Sequence, residues 1–254
     1  MLVDTHTHLG DAVFDADRAD VIVRARRVGV SHIVVVSETL DDAVRNLELA
    51  AQYPELRPAA GLYPTHLDVD QAEAMIAFIR KESQQLVAIG EIGLDFWVVK
   101  SDEERDRQRD IFRRFTALSQ ELDLPLNVHS RSAGRHAIAL LLEQNACRVQ
   151  LHAFDGKART ALPAVEAGYF FSIPPSIVRS RQKQKLVKQL PLSCLLVETD
   201  SPVLGPSAKE RNEPAHVMVA IDAIAEVKEV PPTHVLEAVS DNTRRLYGRA
   251  FSTP

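Results

Sequence analysis

Along this chain, short apolar runs rich in β-branched residues alternate with longer stretches in which apolar residues recur at helical spacing. The runs fall at 2–6, 32–36, 58–62, 86–91, 124–129, 148–152, 168–172 and 194–199. Amphipathic stretches lie near 17–28, 40–52, 69–84, 102–122, 132–145, 157–167, 177–189, 213–227 and 232–247. Apolar strands separated by helices predict parallel strands joined by crossover helices. Eight such units predict an α/β fold of the (β/α)8 kind, a TIM barrel, over an open doubly wound sheet. No Gly-rich phosphate loop follows the first run, which weighs against a dinucleotide-binding sheet. Helix-end signals agree. Ser101 precedes Asp102-Glu103-Glu104, and Pro231-Pro232 opens the last helix.

Length and composition bound this picture without changing it. The chain has 254 residues, 45% of them hydrophobic, enough for one barrel domain over 1–254 with a large core. No Pro/Gly/Ser-rich linker divides it. Cys147 and Cys194 lie beside apolar runs and are expected to be buried, reduced thiols, not a disulfide. The first residues lack the basic-then-apolar pattern of a secretory leader, and no run approaches the roughly 18 apolar residues of a membrane span. A monomer in the cytoplasm or nucleus, with no membrane partner, is expected. Charge is unevenly spread: the balance is -9 over 1–128, +7 over 129–190 and -3 over 191–254. A basic block inside an acidic chain fits an anionic ligand met at one place, or simply basic helix faces.

The candidate chemistry lies where the strands should end, the mouth at which barrels of this kind carry their active sites. His6 and His8 close the first strand in Asp4-Thr5-His6-Thr7-His8 and, two residues apart, point to one face. Glu91 ends the fourth, His129 the fifth, His152 the sixth and Asp200 the eighth. One such residue is ordinarily a core group or a helix cap. Six at the ends of five strands are hard to explain by capping. Four histidines with two carboxylates exceed one tetrahedral ion and suit two divalent ions sharing a carboxylate. The expected division is His6, His8 and Asp200 on one ion and His129 and His152 on the other, with Glu91 bridging. Two ions against two carboxylates and a bridging hydroxide leave a centre of about +1 charge, which favours an anionic substrate such as a phosphodiester. Histidines with carboxylates suit Zn, Mn, Co or Fe, whereas Mg prefers oxygen. Glu91 and Asp200 are the expected catalytic groups, Asp200 as the base that steers the nucleophile's proton.

Beyond these residues, the chain resembles the TatD family of metal-dependent hydrolases over nearly its whole length. The likeness rests on Asp4-Thr5-His6-Thr7-His8, Gly90-Glu91-Ile92-Gly93-Leu94-Asp95, Val128-His129-Ser130-Arg131, His152-Ala153-Phe154-Asp155-Gly156, Glu198-Thr199-Asp200-Ser201-Pro202 and Arg211-Asn212-Glu213-Pro214. Tyr169-Phe170-Phe171-Ser172-Ile173-Pro174-Pro175-Ser176 is most like the eukaryotic-type TatD DNase domain-containing branch. The resemblance implies a TIM barrel, a divalent-metal centre on the same six residues, and deoxyribonuclease activity, commonly 3′-to-5′ exonuclease action. It also implies that Glu91 takes the bridging place of the carboxylated lysine of the wider amidohydrolase superfamily. One motif departs: Tyr63 stands in Gly61-Leu62-Tyr63-Pro64-Thr65-His66 where the family usually has a histidine expected to contact the substrate phosphate. Tyr63 or His66 could substitute for it.

Further residues carry two readings each. Arg131 is expected to clamp a phosphate, against an ion pair at a helix start. Asp95, Asp155 and Glu198 could orient ligand histidines, and Asp95 and Asp155 could equally cap helices. Asp4 is expected to support His6 and His8 from inside the barrel. Trp97 could stack on a nucleobase or lid the barrel mouth. The run Arg179, Arg181, Lys183, Lys185 and Lys188 is a nucleic-acid track or a solvated helix face. The expected function is a metal-dependent phosphodiesterase acting on DNA. The alternatives are an esterase or amidohydrolase built on the same centre, such as an aminoacyl-tRNA deacylase, and a metal-binding scaffold without turnover.

Overall fold

The computed structural model describes residues 1–251. Eight strands, β1 (Leu2–Thr7), β2 (Val30–Val35), β3 (Leu56–Ala60), β4 (Ala88–Gly93), β5 (Leu126–His129), β6 (Val149–Leu151), β7 (Phe170–Ile173) and β8 (Leu195–Val197), pair in parallel in chain order. Between and after them run α1 (Arg18–Arg27), α2 (Leu40–Gln52), α3 (Val69–Glu82), α4 (Asp102–Leu122), α5 (Gly134–Glu143), α6 (Ala158–Glu166), α7 (Arg181–Gln189), α8 (Val217–Lys228) and α9 (Pro232–Tyr247). This is the expected (β/α)8 barrel. Every residue of β1, β4, β5, β6, β7 and β8 is buried, because helices cover one face and the barrel interior the other.

Local chemistry sets the helix starts. Thr39 and Asp42 form a reciprocal capping box at α2, and the Ser101 hydroxyl accepts from the Glu104 amide at α4. Two expected helices begin later than their apolar pattern. The stretch near 177–189 opens as a 3-10 turn, Pro175–Arg179, and α7 starts only at Arg181, capped by Ser180. Pro214 likewise opens a 3-10 turn before α8. Cys194 is buried as expected. Cys147 is exposed instead, because it lies in the loop before β6 and not on the strand.

The barrel closes between β8 and β1 through a mixed seam. The Asp200 amide donates to the His6 carbonyl at 2.9 Å and the His8 amide to the Ser201 carbonyl at 2.8 Å. Below them the Asp4 carboxylate accepts from the Thr199 amide at 2.8 Å, and the Thr5 hydroxyl donates to the Val197 carbonyl at 2.9 Å. Asp4 therefore ties the seam together and does not touch the imidazoles expected to rest on it. Diversion of Thr199 to Asp4 also accounts for β8 ending at Val197 instead of running to 199. The far mouth is plugged from α9. Tyr247 is buried there with Val3, Val34, Ala59, Ala88 and Leu196, and its hydroxyl donates to Gln150 Oε1 at 2.6 Å. The mouth at the strands' C-terminal ends carries a cavity of about 790 Å³.

Candidate metal centre

Five of the six expected ligand residues, His8, Glu91, His129, His152 and Asp200, line this cavity, and His6 lies buried against them. His6 is fully buried, pointing inward from β1, and its Nδ1 meets Asn127 Oδ1 at 2.9 Å. The Asn127 amide in turn donates to the Thr5 carbonyl at 2.9 Å, which fixes the amide's orientation. His6 Nδ1 is therefore the donor, and Nε2 is directed at the carboxylates. Its distances are 3.7 Å to Glu91 Oε2 and 3.5 Å to Asp200 Oδ1. His8 Nε2 lies 3.4 Å from each of the same two oxygens. These gaps are too long for hydrogen bonds. Two atoms bound tetrahedrally at about 2.0–2.1 Å from an ion lie roughly 3.3–3.4 Å apart. The four nitrogen-to-oxygen gaps, 3.4 to 3.7 Å, lie close to that spacing, and His6 Nε2 and Glu91 Oε2 are buried without a hydrogen-bond partner. This donor set fits a divalent cation.

The other half is tighter. Glu91 Oε1 lies 2.6 Å from His129 Nδ1 and 2.9 Å from His152 Nε2, and those two nitrogens are 3.2 Å apart. These atoms touch directly, so an ion among them requires the imidazoles to draw back. His129 Nε2 contacts Asp95 Oδ2 at 3.0 Å, so Asp95 orients the ring. Asp155 instead accepts from the Ser132 amide at 2.8 Å, near the start of α5. Glu198 is 3.9 Å from His152 Nδ1 and spends its oxygens on the Ala153 amide and the Ser172 hydroxyl.

Backbone geometry serves the cluster. Gly93, at φ +142°, packs against His129 so closely that a Cβ would lie 2.1 Å from the His129 carbonyl oxygen. Asp200 holds a left-handed φ of +55°, a conformation that costs a non-glycine residue on the order of 1 kcal/mol and recurs where function demands it.

The charges respond to one another. Burial alone would raise the Glu91 carboxyl, yet His152, His129 and His8 hold it well below its ordinary value. Asp200 is likewise lowered, against burial, by His6 and His8. Burial disfavours charge on His129, but Asp95 and Glu91 raise it to about 9. His8 rises well above its usual range beside Asp200 and Glu91, again against burial. His152 falls to about 4 through burial and the neighbouring His6. Two ionised carboxylates thus draw positive charge into a buried pocket, and protons on the imidazoles can supply it.

The expected substrate contacts divide. Tyr63 lines the cavity, its ring edge-on to His129 at 5.1 Å between centroids and its hydroxyl 3.5 Å from Asp95. Burial and the nearby Glu91 and Asp95 push the phenol far above its normal range, so it remains a donor. Arg131 also lines the cavity. His66 does not. It borders a separate small pocket with Leu62, Pro64 and Gln108, because the turn after Tyr63 carries it away. Of the basic run, Lys183 alone is buried and reaches the cavity wall, where its Nζ donates to the Ala153 carbonyl at 2.9 Å. Two contributors escaped the sequence reading. Asn127 shares a strand face with His129, and an amide inside an apolar run was its signal. Glu38 follows β2, with an oxygen 3.7 Å from His8 Nδ1. Its position just past a strand end was the same clue that pointed to the others.

An (β/α)8 barrel with clustered histidines and carboxylates at its C-terminal mouth defines an enzyme of the metal-dependent hydrolase class. The TatD related DNase family matches residues 3–248. Human deoxyribonuclease TATDN3 is 42% identical over 97% of this chain and 94% of its own length. YabD of Bacillus subtilis, described as an uncharacterized metal-dependent hydrolase, is 34% identical over 97% of this chain and 99% of its own. The crystal structure of YjjV, a TatD homolog from Escherichia coli, matches with a TM-score of 0.89 at 28% identity and covers 97% of both chains. The chain belongs to the TatD family.

Proposed function

We propose that the protein is a divalent-metal-dependent phosphodiesterase, a deoxyribonuclease that removes nucleotides in the 3′-to-5′ direction and acts as a monomer. The observation that carries this reading is the spacing of His6, His8, Asp200 and Glu91, with two buried ligand atoms left unpartnered. His6, His8 and Asp200 would hold one ion, His129 and His152 a second, and Glu91 would bridge them. When bound, such ions supply Lewis acidity to phosphoryl oxygens and make water acidic enough to attack at neutral pH. Asp200, ionised and held by a strained backbone, takes up the nucleophile's proton. Arg131 and the un-ionised Tyr63 hydroxyl meet charge that develops on the phosphoryl oxygens. Lys183 adds a buried side-chain amine to the cavity wall. Asn127 and Asp95 fix the tautomers of His6 and His129, so that the ring atoms facing Glu91 stay available.

The test strips the protein with chelator, restores single metals, and offers end-labelled single-stranded DNA beside a carboxylic ester, with Glu91→Ala as control. Metal-restored shortening of the DNA from its 3′ end, abolished in the variant, is the expected result. Ester cleavage without DNA cleavage would replace this reading by the esterase or amidohydrolase alternative. Hydrolysis of neither substrate would overturn both.

A further inference from the structure

The loop between β4 and α4 carries the chain's single tryptophan, Trp97. A residue that lids a barrel mouth should be buried against it. Trp97 is instead 58% exposed, and Val98 beside it 53%. Two cations lie over the indole, the Arg131 guanidinium at 5.2 Å and the Lys100 ammonium at 5.4 Å from the ring centroid. The loop backbone that carries the exposed ring is nonetheless held in place. Asp95 Oδ1 accepts from the Trp97 and Val98 amides, each at 2.8 Å, while its other oxygen holds His129 at 3.0 Å. The Phe96 amide also donates to the Arg131 carbonyl at 3.0 Å. One carboxylate thus fixes an apolar platform outside the cavity relative to an imidazole inside it. Arg131, which lines the cavity, spans the two.

We propose that Trp97, with Arg131 and Lys100, forms a nucleobase-stacking site for single-stranded DNA next to the bond that is cut. This inference rests on the nuclease reading and names how that substrate is held. A flat apolar ring accepts any base on its π-face, and the two cations match the phosphates that flank that base. On binding, a base takes the place of a cation against the indole, and the freed cation moves onto a phosphate oxygen. Duplex DNA, whose bases are already stacked, has no free base to offer, so the site selects unpaired strands.

The single tryptophan makes the idea directly readable. Short single-stranded deoxyoligonucleotides are titrated into the native protein under chelator, which prevents turnover, while its fluorescence is followed. The native enzyme, Trp97→Ala and Trp97→Phe are then compared with metal on the oligonucleotide and on bis(4-nitrophenyl) phosphate, a diester with no base. Quenching is expected in the native protein. In Trp97→Ala, kcat/KM for the oligonucleotide relative to the small diester should fall on the order of tenfold through KM, with Trp97→Phe keeping most of the selectivity. An oligonucleotide cleaved without quenching, or a ratio unchanged in Trp97→Ala, overturns the stacking site and leaves the nuclease reading standing. Equal losses on both substrates overturn it as well, since they indicate damage transmitted through Asp95. A native enzyme that cleaves neither substrate overturns the nuclease reading and this inference with it.

Discussion

Glu91 has one carboxylate oxygen facing His6 and His8 and the other facing His129 and His152. His6 also stacks on His152 across the two halves, at 3.9 Å between ring centroids, but Glu91 is the carboxylate that offers an oxygen to each, so its loss should abolish loading at both, and Glu91→Ala should lack measurable metal-restored turnover. Asp200→Asn tests a different point. Asparagine tolerates the left-handed backbone but accepts no proton, so turnover should fall about a hundredfold or more while the urea midpoint barely moves. Asp95→Asn should weaken metal affinity about 10–100-fold by releasing His129, a loss that equilibrium dialysis can measure. A pH dependence follows from the same ring. In the ion-free protein His129 carries its proton up to about pH 9, and a ligand nitrogen must shed it. Apparent metal affinity should therefore rise with pH and level off above that value. Calorimetry in buffers of different ionisation enthalpy should show proton release on loading. Affinity that fell or stayed flat between neutral pH and that value would contradict the assignment.

The strands and helices were legible because each element solves its burial problem locally. β4 is apolar on both faces until Glu91 appears, β1 and β5 are buried throughout, and α4 announces its own start through Ser101. What could not be read is set by partners distant in sequence. β8 stops early because Thr199 turns to Asp4, and α7 starts late because Pro174 and Pro175 hold the chain in a tighter turn. Lys183 hid among alternating basic residues. Only its register with Leu186 and Val187, three and four positions on, marks the face that turns inward. Asn127 was hidden by the opposite effect, one amide in an apolar strand whose partner lies over a hundred residues away. Glycine offers a test at this scale. Gly93→Ala meets both a positive φ and the His129 carbonyl, and should cost about 3 kcal/mol in urea unfolding. Gly29→Ala, at φ +94° with nothing within 4 Å of a Cβ, should cost only about 1 kcal/mol.

Across the whole molecule, the candidate ligands tie together β1, β4, β5, β6 and the segment after β8. Divalent ions bound there would brace much of the barrel's circumference, and anything that binds only the folded state stabilises it by mass action. At a hundredfold excess over Kd the gain is about 2.7 kcal/mol, which should raise the thermal midpoint by about 5–10 °C and be erased by chelator. The seam has a consequence for how the protein is made. The amide of Asp200 bonds to the His6 carbonyl, and that of His8 to the Ser201 carbonyl, so the last rung of the barrel and the last corner of the candidate ligand cluster come together. A nascent chain that has left the ribosome only through β7 has two open sheet edges and a cluster lacking Asp200. Capture of an ion by these candidate ligands would thereby be deferred until the eighth strand arrives, and its uptake would mark a finished fold.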